Sequence, residues 1–121
     1  MTLMILALAA FYDPDLENPD CIQLPFDART GELIDERWQQ WLRWDPVQMA
    51  EEHVDNLKKL KCLFFDCGSR DQYRLHHGAR ILAQRFEDLG VPYRYEEFDD
   101  DHSSIQYRYD VSLPLLADTL S

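Results

Sequence analysis

The chain has 121 residues, of which 45% are apolar, so it can form one hydrophobic core and is too apolar to be disordered. Its 23 acidic and 12 basic residues give a net charge of −11. This balance argues against nucleic acids and anionic membrane surfaces as partners, because phosphate contacts require lysine and arginine. We therefore expect a single domain over residues 1–121 that binds neither.

The first predicted element is a strand. Residues 3–11 form a continuous apolar run, which is typical of a strand covered on both faces in a parallel sheet. A truncated signal peptide is the alternative, but the run lacks a basic leading segment. It is also too short to cross a bilayer.

A helical region follows a proline-rich loop. Residues 34–59 are predicted to form a helical insertion, whose first helix carries Trp38 and Trp41 on one face. Asp45 and Pro46 fit the N-cap and the first position of its second helix.

The remaining predicted elements alternate between strand and helix. Residues 61–66 and 93–98 are predicted strands, separated by an amphipathic helix over residues 74–89 and followed by a last helix over residues 111–120. Gly90 fits the left-handed cap of the middle helix. Such alternation implies parallel pairing through right-handed crossovers. The predicted fold class is α/β, with a three-stranded, mostly parallel sheet flanked by helices.

Three cysteines, Cys21, Cys62 and Cys67, show no metal-ligand spacing. Cys62 and Cys67 lie in and just after an apolar stretch, where a thiol behaves as a small hydrophobic group. Structural thiols are therefore favoured over a disulfide or a metal site, and a reducing, cytoplasmic setting is expected. We expect no cofactor and no metal.

Asp71 and His102 follow two neighbouring predicted strands. Because ligands bind outside the carboxyl ends of parallel strands, these two side chains are expected to lie together in such a crevice. A histidine can act as a general base near neutral pH, and a buried carboxylate on its other ring nitrogen fixes its tautomer. The alternative is that Asp71 caps the next helix and His102 is an ordinary loop residue.

Other polar residues near this pair have simpler interpretations. Residues 99–101 are three consecutive aspartates, which cannot all converge on one cation, so a solvated acidic loop is favoured over a metal site. His76 and His77, on the middle helix, are predicted to be surface residues rather than ligands, because adjacent helical positions point in different directions and do not converge on one ligand. His53 is assigned no role.

The order of short motifs along the chain resembles a known family. Gly-x-x-Asp-x-Tyr occupies residues 68–73, Leu-Gly-Val-Pro occupies residues 89–92, and a phenylalanine followed by acids and a histidine occupies residues 98–102. These motifs resemble the C-terminal part of the α/β-hydrolase esterases related to enterochelin esterase and esterase D. Segments within residues 12–46 look like the insertion that some of these esterases carry.

The resemblance implies that Asp71 is the triad acid and His102 the general base of a carboxylic ester hydrolase. The family's Gly-x-Ser-x-Gly motif has no counterpart in the 121 residues. We therefore expect an esterase fragment that is inactive alone, with the serine supplied by a separate polypeptide or an upstream segment. Ser103 adjoins His102, but adjacent residues rarely adopt attack geometry, so it is not the expected nucleophile.

Two further expectations and an alternative function accompany this interpretation. Trp38 and Trp41 either line an acyl-binding pocket or simply pack the insertion on the sheet. In a complete hydrolase the strand at residues 3–11 would lie within the sheet, so its free apolar edge predicts a homodimer. The alternative function is a non-catalytic, self-associating remnant that acts as a binding or assembly module.

Overall fold

The computed structural model describes residues 3–17 and 22–121, and Cys21 lies outside these ranges. The chain divides into two compact units, Met1–Met49 and Ala50–Ser121. Within the described ranges it forms six α-helices, one 3-10 helix and two strands. None of the helices found there is both long enough and apolar enough to span a bilayer.

The first unit begins with a helix rather than the predicted strand. α1 spans Leu3–Tyr12, so the prediction of a strand over residues 3–11 is wrong. An apolar run does not by itself distinguish a buried strand from a helix. This run consists mainly of leucine, alanine and methionine, which favour helix, with Ile5 as its single β-branched residue. Without that strand, the predicted homodimer loses the free edge on which it depended.

The predicted helical insertion contains three short helices. α2 spans Asp35–Leu42 and α3 spans Pro46–Glu52. Oδ1 of Asp45 accepts a hydrogen bond from the N–H of Val47 at 2.9 Å, which is the predicted capping contact. The helix that begins at Pro46 is interrupted at His53, and a one-turn helix, α4, follows it.

The second unit contains a two-stranded parallel sheet. Its elements are α4 (Val54–Leu57), β1 (Phe64–Gly68), α5 (Leu75–Leu89), β2 (Arg94–Phe98), the 3-10 helix (Ile105–Arg108) and α6 (Tyr109–Leu120). Phe64 of β1 lies opposite Arg94 of β2, and Gly68 lies opposite Phe98. The mixed helix-and-strand fold with parallel pairing is as predicted. The segment predicted as a strand over residues 3–11 is the helix α1, so the sheet within the described residues has two strands rather than three.

The core of the second unit lies between α5 and one face of the sheet. Ala50, Phe86 and Val91 are buried at its centre. Phe65 of β1 packs against Phe86 with ring centroids 6.0 Å apart. Gly90 adopts a left-handed φ of +63° and ends α5 as predicted. These contacts set the position of α5 on the sheet and hence of the loop that precedes it.

The opposite face of the sheet is held by one arginine. Arg108 donates hydrogen bonds to Asp66 of β1 at 2.8 Å and to Glu96 of β2 at 2.6 Å. Its guanidinium also lies 4.6 Å from the centroid of the Phe98 ring. The segment that follows the second strand is thereby tied back to both strands.

α6 begins at Tyr109, earlier than the predicted start at residue 111, because the 3-10 helix continues directly into it. Pro114 therefore lies inside the helix rather than in its first turn. Since proline has no N–H, the carbonyl of Asp110 is left without its i+4 helical hydrogen bond.

His76 is 5% exposed, so the prediction of a surface position is wrong for this residue, whereas His77 is exposed as predicted. His76 lies 7 residues before Ala83 and 10 before Phe86. This spacing places it on the buried face of α5.

Candidate functional site

Asp71 lies three residues beyond the end of β1 and is 2% exposed. Its Oδ1 accepts hydrogen bonds from the N–H of Tyr73 at 2.8 Å and from the N–H of Leu75 at 3.3 Å. The first N–H groups of a helix have no partner within the helix and need such an acceptor. Asp71 therefore caps α5 through one oxygen and keeps Oδ2 for a second contact.

That second contact is with His102. Nδ1 of His102 lies 2.8 Å from Oδ2 of Asp71. An ionised carboxylate only accepts hydrogen bonds, so Nδ1 carries the proton and Nε2 is the basic nitrogen. The His102 side chain is 47% exposed, whereas that of Asp71 is buried. The structure thus brings the two predicted site residues together beyond the carboxyl ends of β1 and β2.

Gly68 permits this meeting because it has no side chain. A Cβ at this position would lie 2.4 Å from the carbonyl oxygen of Asp100 and 2.6 Å from that of Asp101. The N–H of Ser69 donates to the carbonyl of Phe98 at 2.8 Å. The loop that carries His102 therefore passes directly over the end of β1.

The electrostatics of Asp71 keep it ionised near neutral pH. Burial by itself raises the pKa of this carboxyl, but hydrogen bonds from His102, Leu75 and Tyr73 outweigh the effect of burial. The pKa consequently lies below its ordinary value of 3.8. A charged Asp71 is the state that accepts the proton-bearing Nδ1 and stabilises an imidazolium.

Cys67 of β1 is the other reactive side chain at this site. Its Sγ lies 4.0 Å from Oδ2 of Asp71, where the thiol donates a weak hydrogen bond. Burial raises the pKa of Cys67, and the charges of Asp71 and Glu97 raise it further. Because the thiolate is the reactive form, these effects make Cys67 a poor nucleophile and agree with the predicted structural role.

Two strained residues lie beside the pair. Arg74 has a φ of +63° and Ser104 a φ of +57°, a region that residues other than glycine rarely adopt. The first precedes α5, and the second lies two residues after His102. Strained backbone of this kind clusters at functional sites.

Two of the aspartates before His102 accept hydrogen bonds from nearby groups of the protein. Asp100 accepts hydrogen bonds from the N–H of Asp101 at 2.9 Å and from the hydroxyl of Tyr107 at 2.9 Å. Asp101 accepts one from the N–H of Ser103 at 2.6 Å. Within residues 3–17 and 22–121, no group of three histidine, cysteine, aspartate or glutamate side chains is arranged to hold a metal ion.

Trp38 and Trp41 belong to the first unit and take part in an aromatic cluster. Their ring centroids are 6.5 Å apart, and Trp41 lies 5.3 Å from Tyr12. Trp44 stacks on Tyr12 at 6.1 Å. These contacts favour a packing role, and the binding of an acyl group by Trp38 and Trp41 stays a prediction.

Gln72 also contacts the loop that carries His102, a role that the sequence does not predict. Its side-chain Oε1 accepts a hydrogen bond from the backbone N–H of His102 at 3.0 Å. Its Nε2 donates to Oγ of Ser103 at 3.2 Å. The two partners are 30 and 31 positions further along the chain, so no local pattern indicates this contact.

Comparison of the chain with models of known protein families and with curated protein sequences gave no match. The resemblance to the esterases therefore stays a prediction, and the site has to be judged on its geometry.

Proposed function

We propose that Asp71 and His102 are the acid and the general base of a serine-type carboxylic ester hydrolase. The observation that carries this proposal is the 2.8 Å contact between Nδ1 of His102 and Oδ2 of a buried Asp71. An acid of this kind holds the imidazole in the tautomer whose Nε2 accepts a proton. The exposed imidazole provides access for a substrate.

The proposed reaction proceeds in two steps. Nε2 of His102 removes the proton of a serine hydroxyl as the serine oxygen attacks the ester carbonyl. The imidazolium returns that proton to the departing alcohol, which leaves an acyl-serine. A water molecule then attacks the acyl carbon while Nε2 takes its proton. The bond between the acyl carbon and the serine oxygen then breaks, and the imidazolium returns its proton to that oxygen, which releases the carboxylic acid and regenerates the serine hydroxyl and the neutral imidazole.

The nucleophile is proposed to lie outside the 121 residues. The four glycines of the sequence, Gly31, Gly68, Gly78 and Gly90, do not frame a serine in the Gly-x-Ser-x-Gly pattern. Among the described residues, no serine hydroxyl forms a hydrogen bond with the imidazole of His102, and Ser103 instead accepts one from Gln72. A separate polypeptide or an upstream segment would supply both the serine and the oxyanion donors.

The test is hydrolysis of short p-nitrophenyl esters by the chain alone and by the chain mixed with a polypeptide that carries the Gly-x-Ser-x-Gly half. We expect turnover only in the mixture. Asp71→Asn is expected to reduce it by about 10⁴-fold and His102→Ala by about 10⁶-fold, the scales seen when a triad acid and a triad histidine are removed. His53→Ala, at an exposed histidine outside the site, serves as the control.

Turnover that survives His102→Ala would contradict the assignment of the general base. Absence of turnover under both conditions would favour the second candidate, a non-catalytic, self-associating module. The observation in favour of that candidate is the exposure of Leu113, Leu116 and Leu120 on α6, since such apolar side chains favour association. A homodimer stays a prediction under either candidate.

A further inference from the structure

The side chain of Gln72 connects the two loops of the candidate site. It is exposed, yet its amide makes two hydrogen bonds to the other loop, one with the N–H of His102 and one with Oγ of Ser103. A backbone N–H only donates, so the atom that faces His102 is the amide oxygen. Gln72 therefore acts on the backbone that carries the imidazole.

The position of that backbone determines whether the imidazole reaches Asp71. The preceding part of the loop is fixed by the close approach of Asp100 to Gly68 and by a hydrogen bond from the N–H of Arg70 to the carbonyl of Asp100 at 3.0 Å. Ser104, which follows, is in a left-handed conformation. Between Asp100 and Ser104, the N–H of His102 donates a hydrogen bond to Oε1 of Gln72.

The imidazole needs this support because nearly half of its side-chain surface is exposed. The rings of Tyr73 and His102 pack edge to face with their centroids 5.2 Å apart, so Tyr73 restricts the imidazole on one side. A displacement of about 1 Å at a catalytic group can cost about 10²-fold in rate. The residues that support a catalytic side chain therefore affect the rate through the geometry they hold.

We infer that Gln72 is a positioning residue that holds His102 in register with Asp71. This inference rests on the proposed function, since it assigns Gln72 to the same acid–base pair. Because Gln72 forms hydrogen bonds with two adjacent residues, His102 and Ser103, it sets both the distance and the orientation of their loop. Glutamate at this position would keep the acceptor for His102, whereas methionine would keep the length of the side chain and lose both bonds.

The test compares the whole chain with its Gln72→Met and Gln72→Glu variants by ¹⁵N NMR of the histidine side chains. We expect the neutral imidazole of His102 to carry its proton on Nδ1 in the original chain. Gln72→Met is expected to lose that preference, and to speed amide hydrogen exchange at His102. Gln72→Glu is expected to restore the Nδ1–H form. Gln84→Met, at an exposed glutamine that bonds Asp88 on α5, is the matched control and should change neither signal.

An unchanged Nδ1–H signal in Gln72→Met would overturn the positioning role while leaving the proposed function in place. Loss of the signal in Gln72→Glu as well as in Gln72→Met would also overturn the role of the acceptor oxygen. If the original chain itself lacked the Nδ1–H form, the acid–base pair would fail together with the inference.

Discussion

The carboxylate of Asp71 contacts both the backbone at the start of α5 and the imidazole of His102. Oδ1 accepts from the N–H groups of Tyr73 and Leu75 at the start of α5, and Oδ2 accepts from His102. An asparagine at this position can present its amide oxygen to the helix and its amide nitrogen to the histidine. Asp71→Asn therefore separates the capping role from the acid–base role, because the cap survives and the charge does not.

Glu97 is the residue whose titration should be visible in the stability of the fold. Its carboxylate accepts hydrogen bonds from Arg80 at 2.8 Å and 2.5 Å. These bonds, with a smaller contribution from the hydroxyl of Tyr95, outweigh burial and lower the pKa of Glu97 from 4.5 to about 2. Because the folded pKa lies below the ordinary one, the contribution to stability is present above pH 4.5. It is lost as the pH falls from 4.5 towards about 2.

As the pH falls through this interval, we therefore expect the free energy of unfolding to decrease less in Glu97→Gln than in the original chain. Urea unfolding at about pH 5 and about pH 3 measures the difference. Asp118→Asn, at an exposed carboxylate of α6, controls for the removal of one negative charge. Parallel losses of stability in the original chain and in Glu97→Gln would contradict the pairing with Arg80.

At the scale of elements, the crossing of two loops at Gly68 makes a prediction about stability. A Cβ at Gly68 would lie 2.4 Å from the carbonyl oxygen of Asp100, so the two loops must separate in Gly68→Ala. We expect a loss of about 1–3 kcal/mol, the range for overpacking. Gly78→Ala is the matched control, since a Cβ there meets nothing within 4 Å and alanine favours the helix by about 0.5–1 kcal/mol.

The free energies of unfolding of both glycine variants can be measured with urea. The close approach predicts opposite signs, with Gly68→Ala destabilised and Gly78→Ala stabilised. Equal stability of the two variants would mean that the loops do not meet at Gly68.

The elements that the sequence predicted correctly are those with strong local signals. α5 shows a clear apolar stripe and ends at Gly90, whose left-handed φ is a local property of the chain. α1 has no such signal, because an unbroken apolar run fits either a strand or a helix. The surface position predicted for His76 is wrong because helical spacing from Phe86 puts this residue on the buried face of α5.

At the scale of the whole chain, the site depends on the pairing of two strands. Asp71 and His102 are 31 positions apart and meet because β1 and β2 run parallel, with Gly68 opposite Phe98 at their carboxyl ends. The order of strands and helices predicts this arrangement. The contact from Gln72 to the N–H of His102 could not be predicted, since it depends on how two loops cross rather than on any spacing.

The described sheet contains two strands rather than the three predicted, because the prediction for residues 3–11 depends on apolarity alone. The leucine and alanine content of that run already favours a helix. Helix propensity and tertiary packing decide between the two structures for such a segment, and a hydrophobicity pattern contains neither.

The protonation of the His102 imidazole, observed by ¹⁵N NMR at a pH where the ring is neutral, tests the acid–base pair most directly. We expect a proton on Nδ1 in the original chain and loss of this form in Asp71→Asn, while hydrogen-exchange protection of the N–H of Tyr73 persists. A proton on Nε2 in the original chain, or an unchanged Nδ1–H form in Asp71→Asn, would contradict the acid–base pair.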